Sequence, residues 1–226
     1  MGCAGHLPPS SRKEGTTLSD YDLLIFDWDG TVADSTAGIV EALRHAARGA
    51  GLDELPATRL RAVIGLGLAE AVHSLHPQAS PMQAQAMVAG YRDYYRGVAA
   101  RGTRLFPGAR ELLAEFGACG LSLAVATGKS RNGLLGALRD TGLEGRFAAL
   151  RTADDCPSKP HPAMVLELLD ELDCSPDRAL MIGDSEYDLV MALAAGVRSV
   201  AVGADVELVD GCIGRVDTVA GLSALL

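Results

Sequence analysis

Short, mostly apolar runs recur along the chain at "DLLIF" (22–26), "LSLAVA" (121–126), "FAAL" (147–150), "ALMI" (179–182) and "VRSVAV" (197–202). Runs of this kind predict strands buried on both faces. Between the later runs the apolar positions change to helical spacing. Ala109, Leu112, Leu113 and Phe116 fall at i, i+3, i+4 and i+7, and so do Val165, Leu168, Leu169 and Leu172. Gly142 and Gly196 stand where helix C-terminal caps are expected. Strands alternating with helices predict an α/β fold, a Rossmann-like parallel sheet with helices on both faces.

The rhythm breaks once. About 90 residues separate the first run from the second, far more than a single crossover helix needs. That interval reads as all helical. Ile39, Leu43 and Ala46 mark one helix; Met87, Tyr91, Tyr94 and Val98 mark another, which also carries Tyr95. Gly49-Ala50-Gly51 and Pro77 punctuate the stretch. The expected organisation is a core of residues 20–36 and 105–226 with a helical insert of residues 37–104 after its first strand. The junctions fall near Asp34-Ser35-Thr36 and between Gly102 and Pro107. Residues 1–19, rich in Gly, Pro and Ser, read as a disordered tail.

Composition narrows the function. The 226 residues are 48% hydrophobic but only 4% aromatic, so the core is built mainly of Leu, Val and Ala. A formal net charge of -9 argues against nucleic acid or an anionic membrane as a partner held by bulk charge. An anionic ligand would need a local cation. The five cysteines, Cys3, Cys119, Cys156, Cys174 and Cys212, are scattered and form no C-x-x-C pair. They read as reduced thiols of a cytoplasmic protein. No apolar run approaches the ~20 residues that span a bilayer. The first residues lack a signal core, and His6 stands where a myristoylation motif needs Ser or Thr.

In an open parallel sheet, ligands bind beyond the carboxyl ends of the strands. Here the first run stops at Asp27, the second at Thr127, and the fourth at Gly183-Asp184; the loop after the third holds Lys159. Asp27, Thr127, Lys159 and Asp184 should therefore converge at one edge. Singly, each has an ordinary explanation: Thr127 or Asp184 as a helix cap, Lys159 as a solvated loop lysine. Together and in order, they are hard to explain that way. Two look-alikes fail. "GKS" (128–130) lacks the earlier glycine of a P-loop, since position 123 is Leu123, and "GLGLAE" (65–70) lacks the third glycine of a dinucleotide fingerprint. His73 and His76, three apart, have no evident third metal ligand.

The segments "DWDGT", the strand-end Thr127, "SKP" and "GDSEYD" together resemble the four motifs of the haloacid dehalogenase superfamily. The likeness covers nearly the whole chain from residue 21, and the helical insert resembles the cap of its phosphoglycolate phosphatase-like members. That resemblance implies a Mg2+-dependent phosphatase acting through an aspartyl-phosphate. Asp27 would be the nucleophile and Asp29 the general acid and base; Asp29 fits the phosphotransferase pattern rather than that of dehalogenases or phosphonate hydrolases. Thr127, neighbouring backbone at Gly128, and Lys159 would bind the phosphoryl group. Mg2+ would be held by the side chains of Asp27 and Asp184 and the backbone carbonyl of Asp29, with Asp188 acting through water. The plainer reading of Asp188 is an exposed acid in the first turn of a helix.

The expected ligand is a small phosphorylated metabolite, and the expected assembly a monomer or homodimer. A sugar phosphomutase using the same intermediate is the alternative; a non-catalytic binding module that kept the fold is a further one. Substrate choice falls to the cap. Its candidates are the loop "IGLGL" (64–68), with Gly65 and Gly67 approaching the ligand, and the arginines Arg59, Arg61, Arg92, Arg96, Arg101 and Arg104, most of them expected to be solvated.

Overall fold

The computed structural model describes residues 17–99, 102–204 and 206–226. Its centre is a six-stranded parallel sheet of β1 (Leu23–Phe26), β2 (Ser122–Thr127), β3 (Ala149–Thr152), β4 (Ala179–Gly183), β5 (Arg198–Val202) and β6 (Cys212–Val216). The order is β3-β2-β1-β4-β5-β6, so the winding reverses beside β1, where the crevice of a doubly wound sheet lies. Phe26 pairs with Val125 on one side and Ile182 on the other, which brings the ends of β1, β2 and β4 level.

Side chains of β1 alternate between two apolar layers, as strand geometry requires. Leu24 and Phe26 pack with Leu113 and Phe116 of α5 (Ala109–Ala118) and with Leu134 and Leu138 of α6 (Arg131–Thr141). Leu23 and Ile25 pack with Met164 and Leu168 of α7 (Ala163–Glu171) and Met191 of α8 (Glu186–Ala194). A short last helix, α9 (Leu222–Leu225), closes the first layer through Leu222. Gly142 caps α6 in the left-handed conformation, as its sequence position predicts.

Four helices are inserted between β1 and α5: α1 (Thr36–Gly49), α2 (Ala57–Arg61), α3 (Leu68–Leu75) and α4 (Pro81–Ala99). They have their own core, with Ile39, Leu43, Leu60, Val72 and Met87 buried together. No described helix is long and apolar enough to cross a membrane.

Three differences from the sequence reading have local causes. Thr17 to Ser19, assigned to the disordered tail, are ordered: Thr17 starts a 3-10 turn over Leu18–Asp20, and Leu18 N–H donates to Leu226 O at 3.1 Å. The remainder of that assignment lies outside the described residues. The third strand begins at Ala149, two residues after "FAAL" does, because pairing with Ala124 sets its register. The edge strand β6 carries no apolar-run signal in the sequence, because "CIGRV" is half-exposed with only Val216 buried.

Candidate active site

Asp27 is the first residue beyond β1, and its N–H still donates to Ile182 O of β4 at 2.9 Å. Its carboxylate is 1% exposed. Lys159, in the loop after β3, reaches it with Nζ 2.6 Å from Asp27 Oδ1 and also 2.6 Å from Asp188 Oδ1. The Lys159 side chain has no exposed surface, so it is not a solvated loop lysine. Asp27 Oδ2 is buried without a hydrogen-bond partner. Burial pushes the Asp27 carboxyl up to about 7; Lys159 pulls it down, and the charge of Asp188 adds to the rise.

Asp184 follows β4, and Thr31 Oγ1 donates to its Oδ1 at 3.0 Å. The chain can come this close only at glycine: Gly30 has φ +95°, and a Cβ there would sit 2.0 Å from Asp184 Oδ2. Burial, then the charges of Asp27 and Asp188, push the Asp184 carboxyl well above the usual range. The cap of α8 is Ser185, not Asp184: Ser185 and Asp188 form a capping box, with Ser185 Oγ 2.6 Å from Asp188 Oδ2. Asp188 is fully buried, which corrects the exposed first-turn reading. One of its oxygens serves the helix end and the other holds Lys159.

Asp27, Asp184 and Asp188 each offer an oxygen within 4.8 Å of the others. Three carboxylates face one ammonium. Together with the orphaned Asp27 Oδ2, this donor set suits a hard divalent cation, which takes oxygen ligands. His73 and His76 belong to no such cluster among the described residues.

The Asp29 carboxylate has different partners. Ser35 Oγ donates to its Oδ1 at 2.7 Å, and Lys129 Nζ lies 3.0 Å from Oδ1 and 3.1 Å from Oδ2. The same ammonium meets the Tyr95 hydroxyl at 3.2 Å and sits over the Tyr95 ring, 4.8 Å from its centroid. Tyr91 stacks on Tyr95 with centroids 5.4 Å apart. Asp29 and Tyr95 raise the Lys129 ammonium above its ordinary range against the desolvation that opposes them. Lys129 and Tyr95 were missed by sequence reasoning. The signal lies in "ATGKS", where Lys129 stands two residues after Thr127, in a segment that does not match a P-loop.

Thr127 ends β2, is buried, and accepts the Lys129 N–H through Oγ1 at 3.2 Å; the cap of α6 is Ser130. Gly128 touches the cap. A Cβ there would lie 2.4 Å from both Gly65 O and Leu66 O. Gly67 N–H donates to Ser158 Oγ at 2.7 Å, beside Lys159, and a Cβ on Gly65 would come within 3.2 Å of Ser185 Oγ. The loop between α2 and α3 thus closes on three strand-end loops of the core. A cleft of about 760 Å3 remains beside Asp184, lined by Gly30, Arg61, Ile64 and Tyr187. Of the cap arginines, Arg61 reaches this cleft; Arg59, Arg92, Arg96 and Arg104 are exposed, and Arg101 lies outside the described residues.

The chain has known relatives. The family model described as haloacid dehalogenase-like hydrolase matches residues 24–202. The tyrosine-protein kinase PtkA of Mycobacterium tuberculosis is 31% identical over 202 residues, covering 89% of this chain and 68% of that protein. The phosphoglycolate phosphatase of Chromobacterium violaceum is 31% identical over 192 residues, 82% of this chain and 86% of that one. In fold, the chain is similar to a hydrolase from Pseudomonas syringae with a TM-score of 0.81 at 23% identity, covering 90% of this chain and 96% of the other.

Proposed function

The chain belongs to the haloacid dehalogenase-like hydrolase family and is a phosphatase, and from that premise we propose that it hydrolyses a small phosphorylated metabolite through an aspartyl-phosphate on Asp27. The observation that carries this reading is the Asp27 carboxylate, buried at a strand end with one oxygen held by Lys159 and the other without a protein partner. A carboxylate so fixed can give one oxygen to an incoming phosphorus while the other faces the cation, its own motion being restrained. Lys159 and the Thr127 hydroxyl then face charge spread over the transferring oxygens. Asp29, two residues on, protonates the leaving alkoxide and afterwards takes a proton from water.

Asp27, Asp184 and Asp188, with the backbone of Asp29, would hold Mg2+. The ion supplies neutralisation of the carboxylates and of the phosphoryl charge. The cap loop at Gly65 and Gly67, resting on Gly128 and Ser158, excludes water during the first transfer. By likeness to the Chromobacterium relative, 2-phosphoglycolate is the first substrate to test. The reading describes a cytoplasmic monomer or homodimer with neither nucleic acid nor membrane as partner.

The test is phosphate release from a panel of small monoesters with Mg2+, together with acid-stable trapping of phosphate on Asp27. Release that needs the ion and label found on Asp27 are expected. No release from any ester, with any divalent ion, would overturn the proposal. Transfer to another acceptor with little free phosphate would favour the reaction that the mycobacterial relative's name implies, or that of a phosphomutase.

A further inference from the structure

Two lysines serve this site, one buried and one nearly so, and the mechanism above uses only the first. Lys159 is held by Asp27 and Asp188 on the phosphoryl side, with one donor left for the transferring oxygens. Lys129 lies against both oxygens of Asp29. If Asp29 gives its proton to the leaving oxygen, the Lys129 ammonium stands next to that oxygen too. We propose that Lys129, assisted by Tyr95, is the specificity-determining cation of this enzyme, and that it binds an anionic group carried by the leaving alcohol. The inference rests on the phosphatase reading and deepens it. Preferred substrates are then phosphate monoesters of short alcohols bearing a carboxylate or a second phosphate within a few bonds of the ester oxygen.

Four observations carry this. The Lys129 side chain is only 10% exposed, so its attraction for an anion is weakly screened. It has three donors, which meet the two oxygens of one carboxylate and the Tyr95 hydroxyl, so an incoming anion can replace one Asp29 oxygen while Asp29 keeps its other contact. The protein is acidic overall, with a net charge of -9, so an anionic leaving group would be repelled without a local cation. The roof is aromatic and comes from the cap: Tyr95 and the stacked Tyr91 belong to α4, so the cation is enclosed only while the cap lies on the core. The short reach follows from the contact between Lys129 and Asp29. An anionic group many bonds away would pass the ammonium.

The test compares kcat/KM for matched pairs of esters. 2-Phosphoglycolate is set against ethyl phosphate, and ethylene glycol bisphosphate against 2-hydroxyethyl phosphate. The first pair reads a carboxylate, the second a phosphate. The wild-type protein is expected to prefer the anionic member of at least one pair. Lys129→Met should cut that preference about ten-fold or more, mainly through KM; Lys129→Arg should keep most of it, and Tyr95→Phe should lose part. Circular dichroism checks folding, and if Lys129→Met is unfolded, Lys129→Gln and Tyr95→Phe decide. Equal losses on both members of each pair, or a wild-type protein without preference, would overturn the inference and leave the phosphatase reading standing. A wild-type protein that releases phosphate from no ester would overturn both.

Discussion

Lys159 Nζ and Asp27 Oδ1 are 2.6 Å apart, and their side chains are 0% and 1% exposed. In an ion pair this deep, a charge that loses its last partner is left without water, so the loss of Lys159 matters more than the loss of either carboxylate. Lys159→Met strands Asp27 and also Asp188, its second partner. Removing one member of a buried pair costs about 3–5 kcal/mol. That loss is expected for the metal-free variant in urea unfolding at about pH 8. It should shrink toward about pH 5, where the stranded Asp27, already raised to about 7 by burial, can take up a proton instead. Turnover should fall at least ~100-fold, the scale of a lost transition-state contact. A penalty of the same size at both pH values would mean that packing, not charge, is what Lys159 supplies.

The carboxylate cluster makes stability depend on pH and on the ion. Burial lifts Asp27 to about 7, and it lifts Asp184 as well, whereas an unfolded Asp titrates near ~3.9. Between roughly pH 4 and pH 7 these two groups therefore bind more protons in the metal-free folded chain than in the unfolded one, and the stability they contribute falls as pH rises through that window. Below it, the contribution of these groups is fully present. A divalent ion needs the ionised carboxylates, so its effect runs the other way. The rise in Tm on adding Mg2+ should be small at about pH 5 and largest at about pH 8. At one hundred times Kd the gain is about 2.7 kcal/mol, or roughly 5–10 °C for a chain of this size. Comparing scans with and without the ion cancels the opposite trend of His76, which burial shifts down. Asp184→Asn should abolish the dependence; a Tm gain independent of pH would argue that the ion binds elsewhere.

Asp27→Asn separates folding from chemistry. The amide keeps the size of a side chain that is buried among Lys159, Asp188 and Asp184 but removes one of three crowded charges. The metal-free variant should be at least as stable as the wild type at about pH 8. It should have no measurable turnover, because an amide oxygen cannot serve as nucleophile. More than a few per cent of wild-type kcat, with contamination excluded by mass spectrometry, would remove Asp27 from that role.

How much of this could be read from the sequence follows from which contacts are local. Asp27, Thr127 and Asp184 were legible because each stops an apolar run, and a parallel sheet aligns such stops at one edge. Asp188 was half legible: the spacing in Ser185-Glu186-Tyr187-Asp188 is that of a capping box, but its burial depends on Lys159 arriving from another loop. The Lys129–Tyr95 contact could not be read. Tyr94, not Tyr95, falls on the apolar repeat of α4, yet Tyr94 stacks on His45 of α1 while Tyr95 turns to the core. Only the packing of the insert on the sheet determines that.

The closure of the cap can be tested at one atom. Gly128 lacks a side chain where the backbone of the cap loop passes: a Cβ would stand 2.4 Å from Gly65 O and from Leu66 O, far inside van der Waals contact. Both obstacles are backbone, so no side-chain rotation relieves the clash. Gly128 itself is not among the glycines with positive φ, so alanine is tolerable to its own backbone. Gly128→Ala should therefore leave the core folded and push the loop away. Backbone amides of residues 63–67 should exchange faster, beginning with Gly67, whose N–H bond to Ser158 Oγ would lengthen. kcat/KM should drop about ten-fold or more, since an open lid admits water and loosens the fit around the leaving group. Ser158→Ala, which removes only the hydroxyl partner of that bond, should weaken closure by the ~0.5–1.5 kcal/mol of a single hydrogen bond and give an intermediate result. Unchanged exchange at 63–67 together with full activity in Gly128→Ala would show that the loop is not the element that seals the site.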